Sequence, residues 1–222
     1  MTKGIVSGVV SNMVTLRVDG PVLQGEICYI TTGGDRLMAE VIKVVGSDVY
    51  VQVFESTRGL KVGSEAEFTG HQLEIQLGPG MLSKNYDGLQ NDLDKMDGVF
   101  LRRGQYTAPL DEDRLWDFEP IVKAGDRVEG SAWLGKVEEN HQPLKIMAPF
   151  QMEGVAVVKS IVPAGQYKVN DTIAVLTTEA GEDINVTMVQ RWPVKSAMTN
   201  YKEKRRPFEP LDPGVRTIAT FN

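Results

Sequence analysis

From Val14 to Phe68 apolar and polar residues alternate in short bursts: VTLRV, EICYI, LMAEVIKVV, DVYVQVFE and EAEFTG. An alternation of period two places successive side chains on opposite faces of a strand. In the fourth burst Val49, Val51 and Val53 share one face while Tyr50, Gln52 and Phe54 share the other. The bursts are separated by turn chemistry. Thr32-Gly33-Gly34-Asp35 and Gly46-Ser47-Asp48 suit tight hairpins, because glycine reaches positive φ without a steric cost. Several short strands with turn signals every ~8–12 residues predict a small β-barrel over residues 1–70. Closing the barrel removes exposed strand edges.

A second run of bursts begins near Ile121: DRVEGSAWLGKV, LKIMAP, EGVAVVKSIV, DTIAVLTT and INVTMVQRW. The turns Ala124-Gly125-Asp126 and Pro163-Ala164-Gly165 introduce two similar units, which predicts a separate β-rich domain over 111–190 bounded near Pro109 and Pro193. Between the two blocks, over 71–110, Leu89, Leu93 and Met96 fall at i, i+4 and i+7 and predict one to three turns of helix. Asp111, Glu112 and Asp113 read as a solvated helix start. Beyond Trp192-Pro193, over 191–222, the chain turns polar and proline-rich. Its last residues, with Val215, Ile218 and Phe221, open an apolar helical pattern that has neither cap nor stop, as expected of a chain cut short.

A formal charge of −6 and a pI near 5.1 exclude the strongly basic surface of a nucleic-acid-binding domain. The basic stretch of Lys195, Lys202, Lys204, Arg205 and Arg206, with one acid, Glu203, reads as a solvated connector closed by Pro207 and Pro210. Cys28 stands alone in an apolar run and implies a reducing compartment. His71 and His141 have no ligand spacing to each other or to Cys28. No nucleophile elbow occurs, and no catalytic, cofactor-binding or metal-binding residue is assigned. Gly78-Pro79-Gly80 invites comparison with a phosphate loop. No lysine follows in register, however, and Pro79 lacks one of the N–H groups such a loop uses. The N-terminus lacks a signal-peptide pattern and no apolar run approaches a bilayer span, so the expected location is cytoplasmic.

Two resemblances remain. VKAGDRVEGSAWLGKV, LKIMAP and GVAVVKSIVPAGQYKVNDTIAVL resemble biotinyl and lipoyl carrier domains, which would make Lys145 a modified swinging-arm residue. The alternative is that Lys145 is an ordinary strand lysine beside packed Ile146 and Met147. An unrelated two-domain β-barrel binding protein is a third reading.

The wider resemblance runs nearly end to end and in order. It is carried by GIVSGVVSNMVTLRVDGPV (4–22), MAEVIKVVGSDVYVQVFESTRGLKVGSEAEFTG (38–70), LEIQLGPGMLSKNYDGLQNDL (73–93), FLRRG, LWDFEP (115–120), GDRVEGSAWLGKV, KIMAP, MVQRWPVK, YKEKRRP and EPLDPGVRTI. These segments resemble the N-terminal portion of the catalytic A subunit, or alpha chain, of V/A-type rotary ATPases and ATP synthases. Asn91-Asp92 and Ala219 depart from it, since members commonly carry a basic residue and proline at the former and an acid at the latter. The resemblance implies a mainly β fold: an N-terminal barrel at 1–70, an inserted barrel-sandwich-like domain at 111–190, and incomplete pieces of an α/β nucleotide-binding domain at 71–110 and 191–222. It makes the Gly-Pro-Gly segment a structural turn. It further implies B subunits of the catalytic ring as partners of the barrel, a peripheral stalk as partner of the inserted domain, and membrane association only through the assembled complex. MgATP belongs to the full-length parent, whose phosphate loop lies further along the chain. Calorimetric titration of the present chain with MgATP is therefore predicted to show no saturable micromolar binding.

Overall fold

The computed structural model describes residues 2–96, 98, 102–197 and 203–209. The first six strands, β1 (Lys3–Val10), β2 (Met13–Val18), β3 (Glu26–Thr32), β4 (Asp35–Val45), β5 (Asp48–Val53) and β6 (Glu65–Gln72), close into a barrel in the order β1-β2-β5-β4-β3-β6. Alternation determines what lies inside. Val49, Val51 and Val53 of β5 are buried, as are Val14 and Leu16 of β2, Ile30 of β3, Leu37 of β4 and Phe68 of β6. Gly33 and Gly34, at φ +57° and +94°, form the two-residue link between β3 and β4. Cys28 sits in this core. Burial, and secondarily the charge of Glu26, pushes its thiol pKa up to about 12.

β7 (Glu74–Leu77) leaves the barrel, and β8 (Leu115–Pro120) begins the second unit. There follow β9 (Arg127–Glu129), β10 (Trp133–Glu139), β11 (Gln142–Met147), β12 (Val155–Ile161), β13 (Gly165–Lys168), β14 (Ala174–Thr178), β15 (Asp183–Val186) and β16 (Gln190–Pro193). They form two four-stranded sheets, β11-β10-β8-β13 and β15-β14-β12-β9. Trp116, Phe118, Val137, Ile146 and Ile173 fill one apolar cluster, and Val128, Leu134, Ala156, Val158 and Leu176 fill another. Ile161 packs against both and joins them.

The doubling of this unit follows a different register from the one expected. Lys123 N–H donates to Asp126 Oδ2 at 2.8 Å, and Lys168 N–H donates to Asp171 Oδ2 at the same distance. The repeated turns are therefore Lys123–Asp126 and Lys168–Asp171, each followed at the second position by a buried apolar residue, Val128 or Ile173. Pro163-Ala164-Gly165 instead leads into β13. The short aspartate side chain captures a nearby main-chain N–H, which fixes such a turn.

The expected helix at Leu89, Leu93 and Met96 is not formed. The helical spacing yields only a 3-10 turn at Leu93–Lys95, capped by Asp92, which accepts from the Asp94 N–H. Leu93 is exposed and Leu89 is only half-buried, so no apolar stripe is packed that would drive a longer helix. Asp111 likewise starts no helix. Its Oδ1 accepts from the N–H groups of Asp113 and Arg114 and turns the chain into β8.

Gly135 marks the tightest place in the second unit, since a Cβ there would lie 2.2 Å from Phe118 Cε2 and 2.8 Å from Glu119 O. Gly135→Ala is expected to lower unfolding free energy by about 1–3 kcal/mol through overpacking. Gly8→Ala, whose added carbon meets Thr15 no closer than 3.8 Å, is expected to be neutral or stabilising by up to about 1 kcal/mol. Urea titration of the two variants checks the contrast. Cys28 is expected to resist iodoacetamide at pH 8 in the folded chain and to react once urea exposes it, as read by intact mass.

Candidate functional site

The segment between barrel and sandwich is a strap tied to both. β7 pairs antiparallel with β16, Glu74 opposite Pro193 and Leu77 opposite Gln190. The chain thus enters and leaves the sandwich side by side. Gly78 follows in close contact: a Cβ there would meet Leu110 Cδ1 and the Met188 carbonyl at 3.2 Å.

The Gly-Pro-Gly turn does bind an anion, and the anion is a carboxylate of the same chain. Gly80 N–H donates to Glu139 Oε1 at 2.9 Å, and Leu82 N–H donates to the same oxygen at 3.0 Å. Glu139 is 4% exposed. Gly80 lies at φ +102°, which aims its N–H inward at little cost for a residue without Cβ. Two main-chain donors satisfy a carboxylate that burial would otherwise penalise.

A second cluster organises the middle of the strap. Asp87 Oδ1 accepts from the N–H groups of Leu89 and Asn91, and its Oδ2 accepts from the Asn91 side-chain amide. Asn91 Oδ1 in turn accepts from Thr107 N–H at 3.0 Å. The Asp92 carboxylate, 1% exposed, lies 3.5 Å from Lys84 Nζ and 3.6 Å from Lys95 Nζ. Asn91-Asp92 is thus a buried polar hub. Tyr86 O–H closes the cluster by donating to the Pro109 carbonyl.

On the barrel side, Arg103 Nη2 donates to Asp35 Oδ2 at 2.6 Å while its Nη1 reaches the Ser56 and Arg58 carbonyls. Tyr106 Oη accepts from Met38 N–H at 2.9 Å, and burial raises the phenol's pKa well above its ordinary value despite that bond, with the Glu55 charge adding to the rise. Lys195 is not a free connector residue. Its ammonium pairs with buried Glu40 of β4 and pins the end of the sandwich to the barrel. Lys204, Arg205 and Arg206 are exposed; Lys202, Val215, Ile218, Ala219 and Phe221 lie outside the described residues.

Two surfaces stand open. On the barrel, Ile5 and Val62 are exposed beside a groove of about 530 Å³ bordered by Lys3, Arg17 and Glu65. On the sandwich, Trp133 is 53% exposed on the outer face of β10, with Lys145 Nζ 4.8 Å from its ring centroid. Lys145 sits inside β11 opposite Lys136. The hairpin turn is made by Asn140 and His141 instead, both at positive φ. This geometry does not suit a carrier lysine, which needs an exposed turn to swing from. His71, at the end of β6, and His141 lie in different units and share no site.

A closed six-stranded barrel strapped to a two-sheet β unit defines the architectural class. Comparison with known proteins makes the class specific. Residues 6–70 match the ATP synthase alpha/beta family beta-barrel domain, and residues 107–195 match the ATP synthase alpha/beta subunit barrel-sandwich domain. Over 99% of its length the chain is 43% identical to a V-type ATP synthase alpha chain of Borreliella burgdorferi (strain ZS7) and 44% identical to that of Treponema denticola. It spans 39% and 38% of those two relatives. The chain belongs to the ATP synthase alpha/beta family and is similar to the N-terminal region of V-type alpha chains.

Glu139→Ala leaves the Gly80 and Leu82 N–H groups without their acceptor, and is expected to cost about 1–3 kcal/mol. Amide exchange at Gly80 and Leu82 should accelerate while exchange in the barrel strands stays unchanged. Mass-resolved exchange of the intact chain checks both.

Proposed function

We propose that this chain is a non-catalytic assembly region of a V-type alpha chain. In this reading the barrel packs beside B subunits in the catalytic ring, and the sandwich docks a peripheral stalk. Nucleotide is bound by other parts of the longer protein, which couples ATP hydrolysis or synthesis to H+ or Na+ transport from a position peripheral to the membrane. Among the described residues no helix is long and apolar enough to cross a membrane.

The observation that carries the non-catalytic reading is the filled anion nest. The main-chain donors at Gly80 and Leu82 already hold Glu139, so this turn cannot cradle a phosphate as well. The assembly reading is supported by exposed apolar residues, among them Ile5 and Val62 beside the barrel groove and Leu115, Trp133 and Val157 on the sandwich. Such residues mark contact surfaces when they cluster.

Both halves can be tested in the full-length subunit within its complex. Ile5→Asp with Val62→Asp is expected to lower ring assembly about tenfold or more by native mass spectrometry, because a charge is forced into an apolar contact. Leu115→Asp, Trp133→Asp and Val157→Asp together should weaken retention of the stalk while ATP hydrolysis by the ring is unchanged. Normal ring assembly in the first variant removes the barrel role, and full stalk retention in the second removes the docking role.

A further inference from the structure

The sandwich surface carries a second feature beside Trp133. On the far side of β11 from β10, an apolar cleft of about 290 Å³ opens between that strand and the strap, lined by Leu77, Met81, Leu82, Met147, Phe150 and Met188. Three of these are methionines, whose unbranched thioether side chains adapt to varied guests.

β11 is the outer strand of its sheet. The Asn140-His141 hairpin makes Glu139 and Gln142 its closing pair, and hydrogen-bonded and non-hydrogen-bonded pairs alternate from there. Leu144 is therefore bonded to Val137, while the main-chain N–H and C=O of Lys145 point away from β10 towards the cleft. Pro143 on one side has no N–H to offer. On the other side Gln190 Nε2 already donates to the Met147 and Ala148 carbonyls, at 3.2 and 3.3 Å. The open edge is thus one residue long and centred on Lys145.

Charge completes the arrangement. On the outer face Trp133 and Met147 form one cross-strand row, with Lys136 and Lys145 forming the next. Lys136 is paired with Glu119 at 2.7 Å. Among the described residues Lys145 makes no ion pair, and its ammonium rests over the exposed Trp133 ring.

We propose that this edge is a recognition site for an extended acidic segment of a partner protein. The segment places one large apolar side chain in the methionine-lined cleft and a nearby carboxylate on Lys145, and it exchanges two main-chain hydrogen bonds with Lys145. Trp133 shields the ion pair from water. Such short strand additions gain affinity from the main chain and specificity from side-chain pockets. The proposal rests on the docking role of the sandwich and names the chemistry of the docked segment.

Selection of a displayed random dodecapeptide library against the chain tests the site without the complex, so its failure is separable from failure of stalk docking. Enriched peptides are expected to carry an acidic residue within two positions of a large apolar one. Synthetic copies should slow amide exchange at Lys145. Lys145→Glu, a surface change that breaks no ion pair and gives up only the contact with the Trp133 ring, should weaken these peptides about tenfold or more while the chain still unfolds cooperatively near the wild-type temperature. Trp133→Ala should weaken them as well. Absence of enriched peptides overturns the proposal, as do peptides lacking acids, helical bound peptides, or binding that survives Lys145→Glu. Sedimentation of the chain alone showing a dimer that Lys145→Glu dissolves would assign the face to a second copy and overturn it equally.

Discussion

Carboxylates that accept main-chain N–H groups, buried in the cases of Glu26 and Glu139, hold this structure in its shape. Glu26 takes Leu23 N–H at 2.9 Å and Gly70 N–H at 2.7 Å inside the barrel. Glu139 takes Gly80 and Leu82 in the sandwich. Asp87 takes Leu89 and Asn91 in the strap. Glu26 and Glu139 reach from strands and Asp87 from within the strap, and each ties down main-chain donors that would otherwise lack a partner. Glu40 serves the same end with a charge, receiving Lys195. Strands supply two apolar interiors, but these polar ties decide how the connecting segments lie across them.

The alternation of short strands makes the barrel legible in the sequence, because every inward position of β5 is a valine and the β3–β4 and β4–β5 turns have glycine where φ is positive. The β character of the second unit was legible for the same reason. Its internal repeat was harder to place, since the signal is an aspartate three residues after a lysine, twice, and not a shared glycine turn. In the strap the helical spacing yields no more than a 3-10 turn. Spacing of Leu89, Leu93 and Met96 satisfies a helix only if a facing surface buries them, and here Asp87, Asn91 and Asp92 commit the backbone to turns instead. Glu139 could not be found from sequence at all. It is an ordinary acid at the end of an alternating strand, and its partner loop lies more than fifty residues earlier.

The exposed aromatic that serves recognition is also invisible to pattern reading. Trp133 opens a strand in which Leu134 and Val137 are buried, so it reads as one more apolar residue of a core. A register shift between Trp133 and Gly135 turns it to the outer face. Gly135 is required there because Phe118 occupies the space a Cβ would take. Core packing and surface recognition are thus coupled through one bulge, a device that re-aims a side chain at a strand end.

The chain crosses between its two units twice, through β7 and β16, and these two crossings are hydrogen-bonded to each other. A pair of crossings resists bending more than one, because rotation about the junction must break the pairing or carry both strands together. The strap adds Arg103 and Tyr106, which bind the barrel, and the N–H groups of Gly80 and Leu82, which bind Glu139 of the sandwich. The ties are hydrogen bonds and ion pairs, which are directional and lose strength steeply with misalignment. They therefore specify one orientation, where an apolar patch of equal strength would allow sliding. The orientation of the two units is thus set by polar geometry across the junction.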